Sequence, residues 1–192
     1  MKRQAEAVIP TPWGMFSMIA FSDNPGDPMP HLALVSEKAD FSKPVLVRIH
    51  SECLTGDLFG SLRCDCGEQL VRSMEMASEQ GGVVIYLRQE GRGIGLINKL
   101  KAYTLQDKGF NTLDANSHLG LAVDGRQYGD AIDIMKELGI SSVHLLTNNP
   151  AKLEAVERSA IRVISRVPII IQPKEENWKY LKAKQELMGH FL

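Results

Sequence analysis

Neither sign of charge prevails in this sequence: 22 lysines and arginines stand against 23 aspartates and glutamates, for a net charge of −1. That balance excludes a global pull toward nucleic acid or anionic membrane, so any anion site must be local. Long hydrophobic runs are also missing. The apolar stretch within "MKRQAEAVIPTPWGMFSMIAF" is short and broken by Pro10, Pro12 and Gly14, unlike a signal peptide or a spanning helix, and a cytoplasmic protein is expected. No repeat, linker or low-complexity tract interrupts the chain. Its 192 residues, 44% of them hydrophobic, point to one domain over 1–192.

Cysteine is scarce too. The three present, Cys53, Cys64 and Cys66, all lie inside "SECLTGDLFGSLRCDCG" (51–67). An odd count leaves one thiol over in any disulfide scheme, and clustered thiols in a reducing compartment point to metal ligation or reactivity. Soft thiolates select zinc, copper(I) or an iron–sulfur cluster, and zinc is the usual structural or hydrolytic ion. Three sulfurs do not fill a four-coordinate shell. Two arrangements fit the spacing: His50 closes a structural Cys3His site, or water holds the fourth position and the metal is a Lewis acid.

The periodicity predicts strands at 31–35, 44–50, 83–88 and 142–147. Short strands "IRVIS" and "VPIII" follow. In the second strand Arg48 and His50 share a face and aim toward the cysteines. Helices are predicted from Gly67, from Ile94, over 129–138, from Pro150 with Asn149 as N-cap, and near 177–189. The Ile94 helix repeats Leu96, Leu100 and Tyr103 on one stripe, which makes Tyr103 a core aromatic by default. This alternation indicates an α/β fold: a mixed β-sheet flanked by helices, with a β-rich N-terminal part. Ligands of such sheets lie beyond the carboxyl ends of strands.

Three features sit at those ends. In "RQEGRGIG" (88–95), Gly91, Gly93 and Gly95 let backbone amides approach an oxyanion, and Arg92 offers a fork for phosphate. A plain tight turn has the same composition. Lys152, in the first turn of the Pro150 helix, opposes the helix dipole unless an anion lies between them; a solvated lysine is the plainer alternative. Asp124 and Arg126 in "AVDGRQYGD" are two apart and pair if the segment is extended, either as a surface salt bridge or as a general base beside a phosphate clamp. Together these features suggest metal-assisted hydrolysis of a phosphorylated small molecule.

Three blocks, "RIHSECLTGDLFGSLRCDCGEQL", "YLRQEGRGIGLINKLKAYTLQDKGFNTLDAN" and "LLTNNPAK", closely resemble the motifs of GTP cyclohydrolase II, which commits GTP to riboflavin synthesis; the likeness runs along nearly the whole chain. The resemblance implies a catalytic zinc on Cys53, Cys64 and Cys66 with an open position for water. It implies addition of water at C8 of guanine, formate release, loss of pyrophosphate with magnesium, and a homodimer. Arg48, Ile49, His50, Ser51, Glu52, Gln69, Glu90, Gly91, Arg92, Thr112, Thr147 and Lys152 fall where the family contacts GTP. Asp124 matches the family's proton acceptor, Arg126 its nucleophile toward the α-phosphate and Tyr103 a tyrosine of the ring-opening chemistry. A nucleophilic guanidinium must shed a tightly held proton, so charge stabilisation is the alternative role for Arg126. Two departures stand out: "IIIQPKEENWKYL" lacks the family's R-N-P-x-N run, and Gly125 replaces a bulkier residue. Without a further domain, the sequence resembles the single-function enzyme and not the fusion with a dihydroxybutanone phosphate synthase. Two rivals are a relative that retains the formamide, against which Tyr103 argues, and a non-catalytic nucleotide-binding protein with a closed zinc site.

Overall fold

A computed structural model describes the chain apart from residues 111, 123, 179, 180, 183, 184, 187, 188, 190 and 192 and the side chains of 112 and 113. Strands β1 (Lys2–Thr11) and β2 (Gly14–Ser22) form an antiparallel hairpin. In its turn Thr11 Oγ1 accepts from the Trp13 amide (3.2 Å) and donates to the Gly14 carbonyl (2.7 Å). Strands β3 (His31–Ser36), β4 (Val45–Ser51), β5 (Val83–Leu87), β6 (Ser142–Leu146) and β7 (Arg162–Val167) complete one seven-stranded sheet of order β1-β2-β3-β5-β4-β6-β7. β3 pairs antiparallel with β5, whereas β5, β4, β6 and β7 run parallel. The mixed sheet and its β-rich N-terminal half are as expected.

Helices cover both faces. They are α1 (Leu54–Asp57), α2 (Cys66–Gln80), α3 (Gly95–Asp107), α4 (Thr112–His118), α5 (Gly129–Glu137) and α6 (Pro150–Glu157). Period-two alternation divides the strands between two cores. Ile85, Val47, Ile49 and Leu145 pack with Ile134 and Met135 of α5 and Val156 of α6 on one face. Val84 and Phe16 pack with Met74 and Ala77 of α2 on the other. Each large side chain removed from water contributes about 1.5–3 kcal/mol before entropy is counted. Gly81 ends α2 in the left-handed region (φ 74°), and a Cβ there would stand 2.5 Å from the Lys38 carbonyl oxygen.

"VPIII" is not a strand: β7 ends at Val167 and residues 168–171 are irregular. Ile169 is buried against Leu46 and Leu146, but Ile170 is exposed. The run's apolar anchor, Ile169, packs against β4 and β6 and does not extend the sheet. Of the helix expected at 177–189, residues 179, 180, 183, 184, 187 and 188 lie outside the described residues, and Trp178, Leu181, Lys182, Gln185 and Glu186 are helical as expected. Among the described residues, no helix is long and apolar enough to cross a membrane.

Candidate active site

Parallel pairing of β5, β4 and β6 brings three carboxyl ends to one edge of the sheet. Ser51, Gln89 and Thr147 leave the sheet there, and the cysteines follow directly on β4. Cys53, Cys64 and Cys66 place their sulfurs within 4.8 Å of one another, and Cys53 Sγ lies 3.7 Å from Cys64 Sγ. Thiolates about 2.3 Å from a tetrahedral zinc ion would be about 3.8 Å apart, so the donor set fits that ion. Glycine makes the convergence sterically feasible. A Cβ on Gly67 would stand 2.3 Å from the Gly56 carbonyl oxygen, and one on Gly56 would stand 2.9 Å from Cys64 Sγ.

Side-chain hydrogen bonds from Cys64 and Cys66, aided by Lys99 and opposed by burial, hold the Cys53 thiol far below its usual range. Cys64 shares that bond and is pushed up to about 11. A cation bound by all three sulfurs would displace these protons. The buried ammonium of Lys99 donates to Cys53 Sγ (3.1 Å) and to Glu90 Oε1 (2.8 Å). Glu90 also accepts from the Gly91 amide (2.6 Å) and, through Oε2, from the Leu54 amide (2.6 Å). Asp57 accepts from the Cys53 amide (2.9 Å), the Tyr86 hydroxyl (2.8 Å) and His50 Nε2 (3.1 Å), which pins the first cysteine from the opposite side. With Nε2 committed to Asp57, His50 does not join the three sulfurs, and its buried Nδ1 has no hydrogen-bond partner among the described residues.

Two cavities meet here. The first is lined by the cysteines, Glu52, Gly91, Arg92, Tyr103, Asn116 and Arg126; the second by Arg48, His50, Gln69, Arg126, Thr147, Asn149 and Lys152. Ser51, Cys66 and Arg126 line both. The second cavity is cationic. Burial lowers the Arg48 guanidinium to about 10 against the pull of Asp65, and its buried Nε has no hydrogen-bond partner among the described residues. A buried cation with an unused donor is what an anion would satisfy. Gln69 holds Arg48 in place, accepting from Nη2 (2.6 Å) while donating to Asp65 (2.6 Å).

Residues 2–168 match the family described as GTP cyclohydrolase II. The chain belongs to that family. It is 50% identical over 191 residues to "Riboflavin biosynthesis protein RibBA" of Bacillus cereus, covering 99% of this chain and 48% of that protein. The "GTP cyclohydrolase-2" of Buchnera aphidicola is 50% identical over 188 residues, covering 97% of this chain and 95% of the relative. That of Actinobacillus succinogenes is 48% identical over 193 residues, covering 100% and 88%. The chain thus spans about half the length of the RibBA relatives it matches. Among solved structures, the two-domain 3,4-dihydroxy-2-butanone 4-phosphate synthase RibBX of A. baumannii matches with a TM-score of 0.50 and 18% identity, over 86% of this chain and 40% of that one, a likeness of fold alone.

Most positions singled out in the GTP cyclohydrolase II motifs converge on the two cavities. Ile49 is an exception, because its side chain lies in the core; its carbonyl accepts from Lys152 Nζ (2.9 Å). Lys152 is buried, so the solvated alternative does not hold. Asn149 caps α6 through a bond from the Ala151 amide (2.9 Å), with Pro150 at the first turn, as expected. Asp124 lines neither cavity but accepts from Arg126 Nε (2.9 Å) and Nη2 (2.5 Å). Burial works against its ionisation, yet the hydrogen bonds and charge of Arg126 prevail and hold its carboxyl below the usual range. Thr112 opens α4, but its side chain lies outside the described residues.

Tyr103 is not a core aromatic. It lines the first cavity under the Arg63 guanidinium, 4.9 Å above its ring. The stripe that placed it in the core is overturned: Leu100 is half exposed, and the buried positions of α3 are Lys99 and Ala102. α3 roofs a polar cavity, so its inner face carries a lysine. Sequence reasoning missed Lys99, Asp57 and Asn116. The sign for Lys99 was present, since it stands three residues after Leu96 and four before Tyr103, on their face of the helix.

Burial pushes the His50 imidazole below its ordinary value of 6.5, although Asp57 pulls it upward. A depressed folded value means that stability is complete above the unfolded pKa and is lost as pH falls through the folded one. Denaturation midpoints are therefore expected to fall as pH drops below 6.5, and His50→Gln is expected to flatten that part of the profile. A profile unchanged by the substitution would contradict this.

Arg92 has φ 62°, the one non-glycine residue with positive φ among the described residues. It is held by its neighbours: the Gly125 amide donates to the Arg92 carbonyl (2.9 Å), and a Cβ on Gly93 would meet the Gly125 carbonyl at 3.2 Å. Strain at a functional turn exchanges stability for position. Arg92→Gly is expected to raise stability by up to about 1 kcal/mol in urea unfolding, and an unchanged or lower midpoint would contradict strain at this turn.

Proposed function

We propose that the chain binds GTP across the two joined cavities and hydrolyses it, opening the imidazole ring to release formate and cleaving pyrophosphate from the phosphate chain. The observation that carries this reading is the shared wall formed by Ser51, Cys66 and Arg126. A purine set beside the thiols would run its phosphates into the cationic cavity, with Arg126 at the boundary. A zinc ion on Cys53, Cys64 and Cys66 would supply Lewis-acid activation of water for attack on the purine, and magnesium would neutralise charge on the phosphates.

The chain's own residues do the rest. Arg48 and Lys152, both buried, would receive the terminal phosphates, with Thr147 beside them. The Gly91–Gly93 turn and Arg92 would close over the nucleotide from the first cavity. Tyr103 would exchange a proton at the opening ring. Arg126 gives Nε and Nη2 to Asp124, which favours a protonated guanidinium that stabilises charge at the α-phosphate over one that attacks it. Asp124 would then orient Arg126 first and accept a proton second. The relatives named for riboflavin biosynthesis support placing the reaction in that pathway; a homodimer in the cytoplasm is proposed with it, from the sequence and its family resemblance.

Incubation with GTP and magnesium, followed by quantification of formate, pyrophosphate and the nucleotide product, tests it. Equal amounts of formate and pyrophosphate are expected. Formate without pyrophosphate, or neither, would overturn the reading.

A further inference from the structure

Three thiolates around a divalent ion leave a net charge of −1, and so electron-rich a donor set blunts the ion's Lewis acidity. A site of this kind needs a counter-charge to polarise water well. The first cavity holds one, built in from a different part of the chain. Lys99 reaches from α3 to Cys53 Sγ at 3.1 Å. Its aim is fixed by Glu90, 2.8 Å away, whose two oxygens are themselves anchored by the Gly91 and Leu54 amides. Lysine is otherwise the residue least suited to a buried helix face, since taking its charge out of water is costly without a partner.

We propose that Lys99 is a positioning residue that neutralises the tris-thiolate centre and withdraws charge from Cys53, raising the Lewis acidity of the ion bound there. This rests on the metal reading given above. Glu90 serves this arrangement more than it serves substrate: it is the strut between the glycine turn, the first cysteine's loop and the ammonium. The pairing also gives the turn at 90–93 a direct mechanical link to one sulfur, through Leu54 and through Lys99.

Cobalt(II) reconstitution of the full chain without nucleotide reads the effect on the sulfur itself. Wild type, Lys99→Met, Lys99→Gln and Lys99→Arg are compared. A hydrogen bond to a thiolate lowers its lone-pair energy, so the sulfur-to-cobalt charge-transfer band of Lys99→Met is expected at longer wavelength than in wild type, with Lys99→Arg close to wild type. For formate release by the zinc-loaded proteins, kcat of Lys99→Met is expected to fall about 10- to 100-fold, with KM for GTP within about twofold of wild type. A charge-transfer band that does not move, or a rise in KM at unchanged kcat, overturns the proposal. If Lys99→Met takes up no cobalt, the band of Lys99→Gln, which lacks the charge, decides in the same way. A wild-type chain that binds cobalt without any sulfur charge-transfer band overturns the metal reading itself, and this proposal with it.

Discussion

Replacement of Cys53, Cys64 or Cys66 by serine is expected to lower formate release by at least about 10³-fold, because metal-assisted activation of water contributes several kcal/mol to such reactions. A serine hydroxyl is a hard donor with a high pKa and does not stand in for a thiolate toward zinc. The fold is expected to survive. The cores centred on Ile85, Ile134 and Met74 lie on the sheet faces, away from the thiols at its carboxyl edge. Far-ultraviolet circular dichroism should therefore be unchanged, and added zinc should not restore activity, whereas it is expected to restore that of chelated wild type. Pyrophosphate cleavage is expected to be less affected, because Arg48, Arg126 and Lys152 remain in place in the second cavity. Equal loss of both products in a folded Cys53→Ser protein would show that the two cavities do not act on separate bonds.

Arg126→Ala is expected to lower pyrophosphate release by about 10³-fold or more, the scale of an arginine that stabilises phosphoryl-transfer charge. The side chain is only 11% exposed and stands where the two cavities join. Asp124 grips it through Nε and Nη2, an arrangement that lysine does not reproduce. Arg126→Lys is therefore expected to retain a minor part of the rate through charge alone. Asp124→Asn is expected to fall between wild type and Arg126→Ala, since the arginine remains but loses its orientation. A phosphorylated adduct trapped on Arg126 would instead establish covalent attack, and the charge-stabilising role would fail.

Much of this is legible in the sequence. The strands at 31–36, 45–51, 83–87 and 142–146 carry apolar runs or clean alternation, and the cap at Asn149 follows local backbone chemistry. The hairpin of β1 and β2 was not resolved into strands, because β1 is exposed along most of its length and gives no one-sided pattern. "VPIII" misled by composition, and α3 misled by period: Leu100 is exposed and Tyr103 lines a polar cavity, since the inner face of the helix roofs that cavity and carries Lys99. At the site, residue type was informative where chemistry restricts the choice, as with three clustered cysteines. It was silent where a common residue takes an unusual place. Asp57 and Lys99 are ordinary surface residues in a sequence, and only the fold shows their side chains enclosed and aimed at Cys53.

The most direct measurement is a zinc titration of the metal-free chain with GTP and magnesium present, following formate. Release is expected to be absent at the start, to rise linearly with added zinc and to stop rising at one ion per chain. Formate production by the metal-free protein, or full occupancy of the thiols with no formate, would contradict a hydrolytic metal centre on Cys53, Cys64 and Cys66.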